Sequence, residues 1–198
     1  MDCKIKICGL TEEREIACVN RWKPDYIGFM FFPKSKRYIS FERARELAEQ
    51  LSPEIKKVGV FVNADLREMT EASKILDLIQ LHGQESEETI EILKEKTHLP
   101  IIRAVSMTEE KDPFRFNHSG ADYLLLDSGK GGTGELFDHR KIKGFEKPFF
   151  LAGGLTPENA RGAAENVRPY GIDLSSGLET NGKKDEKKIE ELIRRIRK

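Results

Sequence analysis

The sequence predicts an α/β fold, a single (βα)8 TIM barrel with short or irregular fifth and sixth helices, and three observations lead there. Eight short apolar segments bounded by turn residues recur at intervals of roughly 25 residues along the 198-residue chain. That interval leaves room for the crossover of about a dozen residues or more that parallel neighbours need. Several segments end in Cys, Gly or a carboxylate, at the strand ends where such barrels keep their reaction groups. An open, doubly wound sheet would use the same units, but eight of them are what a closed barrel requires. One domain over residues 1–198 is the expected organisation.

The elements follow in order. A first strand is predicted over Lys4–Cys8, with Thr11 as the cap of a helix whose first turn carries Glu12 and Glu13 and which Pro24 ends. Strand 2, Asp25–Phe31, is apolar on both faces, as expected between a barrel interior and a helical layer. Ser40 caps a second helix with Ala44, Leu47, Ala48 and Leu51 on one face. Strand 3 is predicted over Val58–Val62, and a third helix places Met69, Ala72, Ser73 and Leu76 at the same spacing. Strand 4 is Leu78–Leu81, helix 4 runs from about Glu85 to Lys96, and Pro100 introduces strand 5 at Ile101–Val105.

The stretch 108–120 contains Pro113 and no helical period, so the fifth helix is expected to be short or irregular. Strand 6, Ala121–Asp127, is followed by a glycine-rich loop and by a segment, 138–143, too short for more than a turn or two. Strand 7, Pro148–Ala152, leads to Thr156-Pro157, a hydroxyl cap with proline at the first helical position. Ala160, Ala163, Ala164 and Val167 line that helix. Strand 8 is Gly171–Leu174, and the last helix, Asp185 to Arg197, buries Ile189, Leu192, Ile193 and Ile196.

Composition excludes several functions. Lys+Arg 34 against Asp+Glu 34 gives no net charge, hence neither a nucleic-acid footprint nor a polybasic membrane patch. No apolar run approaches the ~20 residues that span a bilayer, and the start of the chain reads as a strand, so a cytoplasmic protein is expected. Cys3, Cys8 and Cys18 are an odd set, expected as thiols. The four histidines show no metal-ligand spacing, so no metal site is expected.

Gly153-Gly154 after strand 7 and Ser175-Ser176-Gly177 after strand 8 offer backbone N–H groups where barrels commonly hold phosphate; tight turns are the plainer alternative. Cys8, at a strand end, can be a nucleophile, a general base or inert core, and nearby cations favour its thiolate. Asp127 ends an apolar strand, where a raised pKa would suit a general acid and a helix cap or ion pair is the alternative. Arg37 can grip a carboxylate through two parallel bonds or belong to a solvated cluster with Lys34 and Lys36. Gly129-Lys130-Gly131-Gly132-Thr133-Gly134 matches the dinucleotide fingerprint, but it lies in the sixth unit with no long helix after it, so a mobile lid explains it better.

These residues resemble the phosphoribosylanthranilate isomerase family of tryptophan biosynthesis over nearly the whole chain. The resemblance is carried by KICG at Lys6–Gly9, FPKSKRY at Phe32–Tyr38, GVFVN at Gly59–Asn63 and QLHG at Gln80–Gly83. It continues through LLD at Leu125–Asp127, GGTG at Gly131–Gly134, GGL at Gly153–Leu155 and DLSSG at Asp173–Gly177. It implies a cofactor-free Amadori rearrangement of a phosphorylated small molecule, with Asp127 as general acid and Cys8 as general base. It further implies that Arg37 holds the anthranilate carboxylate and that Gly153, Gly154, Ser175, Ser176 and Gly177 hold the phosphate. Gln80, His82 and Asp173 are implied as positioning or binding residues, and a monomer or homodimer as the working form. His139 stands where the family usually has Trp. The related isomerase of histidine biosynthesis uses paired aspartates and two similar half-barrels, neither of which this sequence has. A non-catalytic barrel that binds a sugar phosphate would need the glycine loops but not both Cys8 and Asp127.

Overall fold

The computed structural model describes residues 3–127 and 142–198. Eight parallel strands close in chain order: β1 (Lys4–Cys8), β2 (Tyr26–Met30), β3 (Lys56–Phe61), β4 (Leu78–Leu81), β5 (Ile101–Ser106), β6 (Tyr123–Asp127), β7 (Phe149–Ala152) and β8 (Gly171–Leu174). β8 pairs with β1, Lys6 standing opposite Asp173, which completes the ring. The predicted barrel is therefore the observed one, with strand ends shifted by a residue or two.

The helices are α1 (Glu13–Trp22), α2 (Phe41–Glu49), α3 (Leu66–Ala72), α4 (Glu87–Thr97), α5 (Pro157–Val167) and α6 (Glu186–Arg197). α6 buries Ile189, Leu192, Ile193 and Ile196 at the predicted spacing. The connection from β5 to β6 holds only a 3-10 turn, Pro113–His118, the irregular fifth helix expected from Pro113. The glycine-rich loop, His139 and most of the segment 138–143 lie outside the described residues.

Two boundaries differ for identifiable reasons. α1 is capped at Glu12 rather than Thr11, because Glu15 turns back and accepts the N–H groups of both Thr11 (2.6 Å) and Glu12 (3.1 Å). α3 stops at Ala72 and tightens into a 3-10 turn, Ser73–Ile75, before Leu76 is buried. The early stop brings Asp77 to the foot of β4.

Asp77 belongs to a pattern repeated at three even-numbered strands. Asp25, Asp77 and Asp122 each donate their N–H to the odd strand before them, to Ile5 (3.0 Å), Lys57 (2.8 Å) and Ile101 (2.9 Å). Each carboxylate accepts the N–H of that same residue, at 3.0, 2.8 and 2.8 Å. These reciprocal clamps satisfy backbone groups at the N-terminal rim, where strands lack a further ladder partner.

Inside the barrel, Tyr26, Val58, Leu78, Ile102, Leu125 and Phe150 form an apolar plug near the N-terminal ends. Further along the strands the interior turns polar: Lys6, Gln80 and Asp173 are buried. Buried charges in a barrel otherwise filled by aliphatic and aromatic groups mark the side on which a site is built.

Candidate active site

Cys8 ends β1 and Asp127 ends β6, and the loops after β7 and β8 lie between them around the ring. Those two loops touch: a Cβ on Gly177 would stand 2.0 Å from the Leu155 carbonyl oxygen, so only glycine fits. Gly153 and Gly154 have φ of 86° and 63°, which turns the chain sharply out of β7. Asn159 fixes that turn, donating to Gly154 O at 3.1 Å and accepting from Thr156 N at 2.8 Å. Ser176 is exposed, whereas the Ser175 hydroxyl donates to Cys8 O at 2.9 Å and so ties β8 to β1.

The thiol of Cys8 has two buried lysines as electrostatic neighbours. Lys6, two residues earlier on β1 and so on the same face, is fully buried and meets Asp173 at 3.0 Å. Lys184, whose side chain is only 1% exposed, stands 3.3 Å from Ser175 O and 2.6 Å from Glu179. Burial pushes the Cys8 thiol above its ordinary pKa, against the pull of Lys6 and Lys184 toward the thiolate. Burial lowers the Lys6 ammonium, but Asp173 and Cys8 reverse this and leave it above the usual lysine value. The Lys184 ammonium is pushed down by burial, with Glu179 and Cys8 opposing.

A thiol raised in this way should alkylate late. Iodoacetamide labelling of Cys8, followed by peptide mass mapping from pH 6 to 10, is expected to give a midpoint above that of an unfolded control peptide. Lys184→Met should move the midpoint further up, since a cation is removed. A midpoint at or below the peptide's would contradict this account of the pocket.

On the opposite side, Asp127 faces His82, whose Nε2 is 3.9 Å from Oδ2. Gln80, 1% exposed, brings Nε2 within 3.1 Å of His82 Nδ1. With the amide donating, the His82 proton sits on Nε2 and points at the Asp127 carboxylate. A cavity of about 1090 Å³ opens on this side, lined by Asn63, His82, Arg103, Ser106 and Asp127 among others.

Arg37 reaches the mouth over Gly9, and Nε and Nη2 donate to Glu179 at 2.6 and 2.8 Å. Arg37 is thus paired rather than part of a solvated cluster. Asp173 lies below the mouth, where its carboxylate meets Lys6 at 3.0 Å. No cluster of His, Cys, Asp and Glu among the described residues could hold a metal ion.

A sequence profile described as N-(5'phosphoribosyl)anthranilate (PRA) isomerase matches residues 5–195. The chain belongs to the phosphoribosylanthranilate isomerase family. It is 42% identical to the N-(5'-phosphoribosyl)anthranilate isomerase of Clostridium acetobutylicum over 205 aligned residues, covering 98% of each chain. It is 43% identical to that of Streptococcus mutans, covering 98% of this chain and 99% of the relative. Among solved structures, the phosphoribosylanthranilate isomerase of Thermotoga maritima superposes with a TM-score of 0.90 at 36% identity and 98% coverage of both chains. Another isomerase of the family, solved with reduced 1-(o-carboxyphenylamino)-1-deoxyribulose 5-phosphate, gives 0.86 at 35% identity, again with 98% of both chains covered.

Three residues that the structure brings next to Cys8 and Arg37 were not singled out from the sequence. Lys6 was visible as a charge in the middle of an otherwise apolar strand, two positions before Cys8. Glu179 and Lys184 flank Asn181-Gly182, the strongest short signal for a two-residue hairpin.

Proposed function

We propose that this chain converts N-(5'-phosphoribosyl)anthranilate to 1-(2-carboxyphenylamino)-1-deoxyribulose 5-phosphate, a step of tryptophan biosynthesis, with Asp127 as general acid and Cys8 as general base. The observation that carries the assignment is the order around the barrel: acid on β6, glycine loops on β7 and β8, thiol on β1. A phosphate held at Gly153, Gly154, Ser176 and Gly177 leaves the sugar reaching toward both groups.

Asp127 protonates the furanose ring oxygen as the anilino nitrogen pair forms a C1'=N bond and the C1'–O bond breaks. The Cys8 thiolate then takes the proton from C2', and the C2'–H electrons form a C1'=C2' bond while the C=N pair returns to nitrogen. The resulting enolamine tautomerises, losing its hydroxyl proton and gaining one at C1', to give the ketone. All electrons stay within the substrate, so no redox partner enters. Lys6 and Lys184 stabilise the thiolate that the second step needs, and Arg37 receives the anthranilate carboxylate. Three cysteine thiols suit the cytoplasmic location expected for such an enzyme.

The test is the fluorescence of freshly prepared phosphoribosylanthranilate mixed with the protein. Loss of signal at a rate proportional to protein concentration is the expected result. Binding of the reduced product without any turnover would instead make the chain a sugar-phosphate binder.

A further inference from the structure

Glu179 and Lys184 owe their positions to a minimal hairpin, β9 (Glu179–Thr180) and β10 (Lys183–Lys184), in which they stand opposite one another. Its two-residue turn is Asn181 and Gly182, with φ of 52° and 76°, the left-handed pair that a type I' turn demands. The hairpin is fastened to the barrel from three sides. Lys184 N donates to the buried carboxylate of Glu15 at 3.0 Å, Asp185 N to Leu178 O at 2.8 Å, and Lys188 Nζ to Glu179 O at 2.6 Å. The backbone thus sets where the Glu179 carboxylate stands.

That carboxylate spends both oxygens on the site. Oε1 accepts from Arg37 Nε at 2.6 Å and from Lys184 Nζ at 2.6 Å, and Oε2 accepts from Arg37 Nη2 at 2.8 Å. Two parallel bonds hold a guanidinium in one plane, which a single contact does not. The pairing uses the Nε edge of Arg37. The other edge, Nη1 with the second hydrogen of Nη2, makes no hydrogen bond among the described residues and is the right fork for a second carboxylate. The Arg37 stem is confined as well, since a Cβ on Gly9 would come within 2.4 Å of its Cδ.

We propose that Glu179 is a positioning residue: it orients Arg37 so that the anthranilate carboxylate of the substrate meets a preorganised pair of donors. The inference rests on the reading above that Arg37 receives that carboxylate. Burial raises the Glu179 carboxyl, but Arg37 and Lys184 outweigh it and hold the group at about 2, so it is ionised at any working pH. A flexible arginine would have to be ordered by each substrate that arrives; a clamped one is ordered beforehand.

The test compares phosphoribosylanthranilate with phosphoribosylaniline, the same compound without the carboxylate, in wild type, Glu179→Gln, Glu179→Asp, Arg37→Ala and the Glu179→Gln/Arg37→Ala double variant. Circular dichroism and thermal melts check each for folding. Damage to Cys8, Lys184 or the barrel lowers kcat/KM for both substrates and divides out of their ratio. Only carboxylate recognition moves the ratio. Glu179→Gln should lower it at least tenfold, and Glu179→Asp, which keeps the charge but is one methylene shorter, should lower it as well. The double variant should fall no further than Arg37→Ala alone. An unchanged ratio in Glu179→Gln beside a collapsed one in Arg37→Ala overturns the proposal. A ratio that rises in Glu179→Gln also overturns it, because Glu179 would then compete with the substrate. An unchanged ratio in Arg37→Ala removes Arg37 as the anchor, and absence of turnover in wild type removes the assigned reaction; either fells this inference with the reading beneath it.

Discussion

Cys8→Ser is expected to lower kcat by about a thousandfold, and Asp127→Asn by a similar factor, within the range of ~100 to 10,000 that a placed acid or base contributes. Serine is the sharper replacement because it changes almost nothing else. Gly28 lies opposite Cys8 across the β1–β2 ladder, and a Cβ there would stand 2.7 Å from the Cys8 sulfur, so the pocket is cut to the thiol. A hydroxyl fits that space but stays protonated where a thiol begins to ionise, even between Lys6 and Lys184. Asparagine keeps the shape of Asp127 and its place opposite His82 while removing the transferable proton. In the proposed mechanism the two groups act in successive steps, so each variant leaves its own block. Cys8→Ser should still open the ring and exchange nothing at C2', whereas Asp127→Asn should stall with the furanose closed. Stopped-flow fluorescence with substrate deuterated at C2' separates these cases. Either variant retaining more than a tenth of wild-type kcat would send the search to another acid or base.

What was legible beforehand follows from where each signal is written. The barrel could be read because each strand and helix carries its own period and caps, and because eight such units admit one closed arrangement. Cys8, Asp127 and the glycine loops could be placed at strand ends as candidates because a strand end is a one-dimensional fact. The partners of those groups are three-dimensional facts. Nothing adjacent to Arg37 in the chain indicates that its guanidinium meets Glu179, 142 residues away, or that Lys184 comes from a hairpin to stand beside Cys8. Ser175 shows the same limit: the sequence offers its backbone N–H to a phosphate but does not indicate that its hydroxyl donates to the carbonyl of Cys8. The start of α1 was misplaced because Thr11 is the better intrinsic cap, and the buried Glu15 overrides that preference by binding two N–H groups at once.

Lys6→Met should destabilise the fold by about 3 to 5 kcal/mol, the usual consequence of removing one member of a buried ion pair. The methionine fills the volume of the lysine stem, but it leaves the Asp173 carboxylate, 9% exposed, without the ammonium 3.0 Å away. For a chain of this length that corresponds to a fall in Tm of roughly 6 to 20 °C. The sign of the pH dependence is set by Lys6. Its folded pKa lies above its ordinary value, so its contribution is complete at neutral pH and below. It is lost only as pH rises past ~10.4 and through the folded value. The gap in Tm between wild type and Lys6→Met should therefore stay constant from pH 6 to 9 and close on the alkaline side. Adding Asp173→Leu to Lys6→Met removes the stranded charge, and most of the lost stability should return, because a buried pair replaced by apolar groups is often neutral or better. Activity should not return with it, since the thiolate of Cys8 would have lost one of its two cations. A double variant that recovers both stability and turnover would make the pair a structural feature alone; one that recovers stability without turnover shows that this barrel keeps a charge in its core for the sake of the thiol above it.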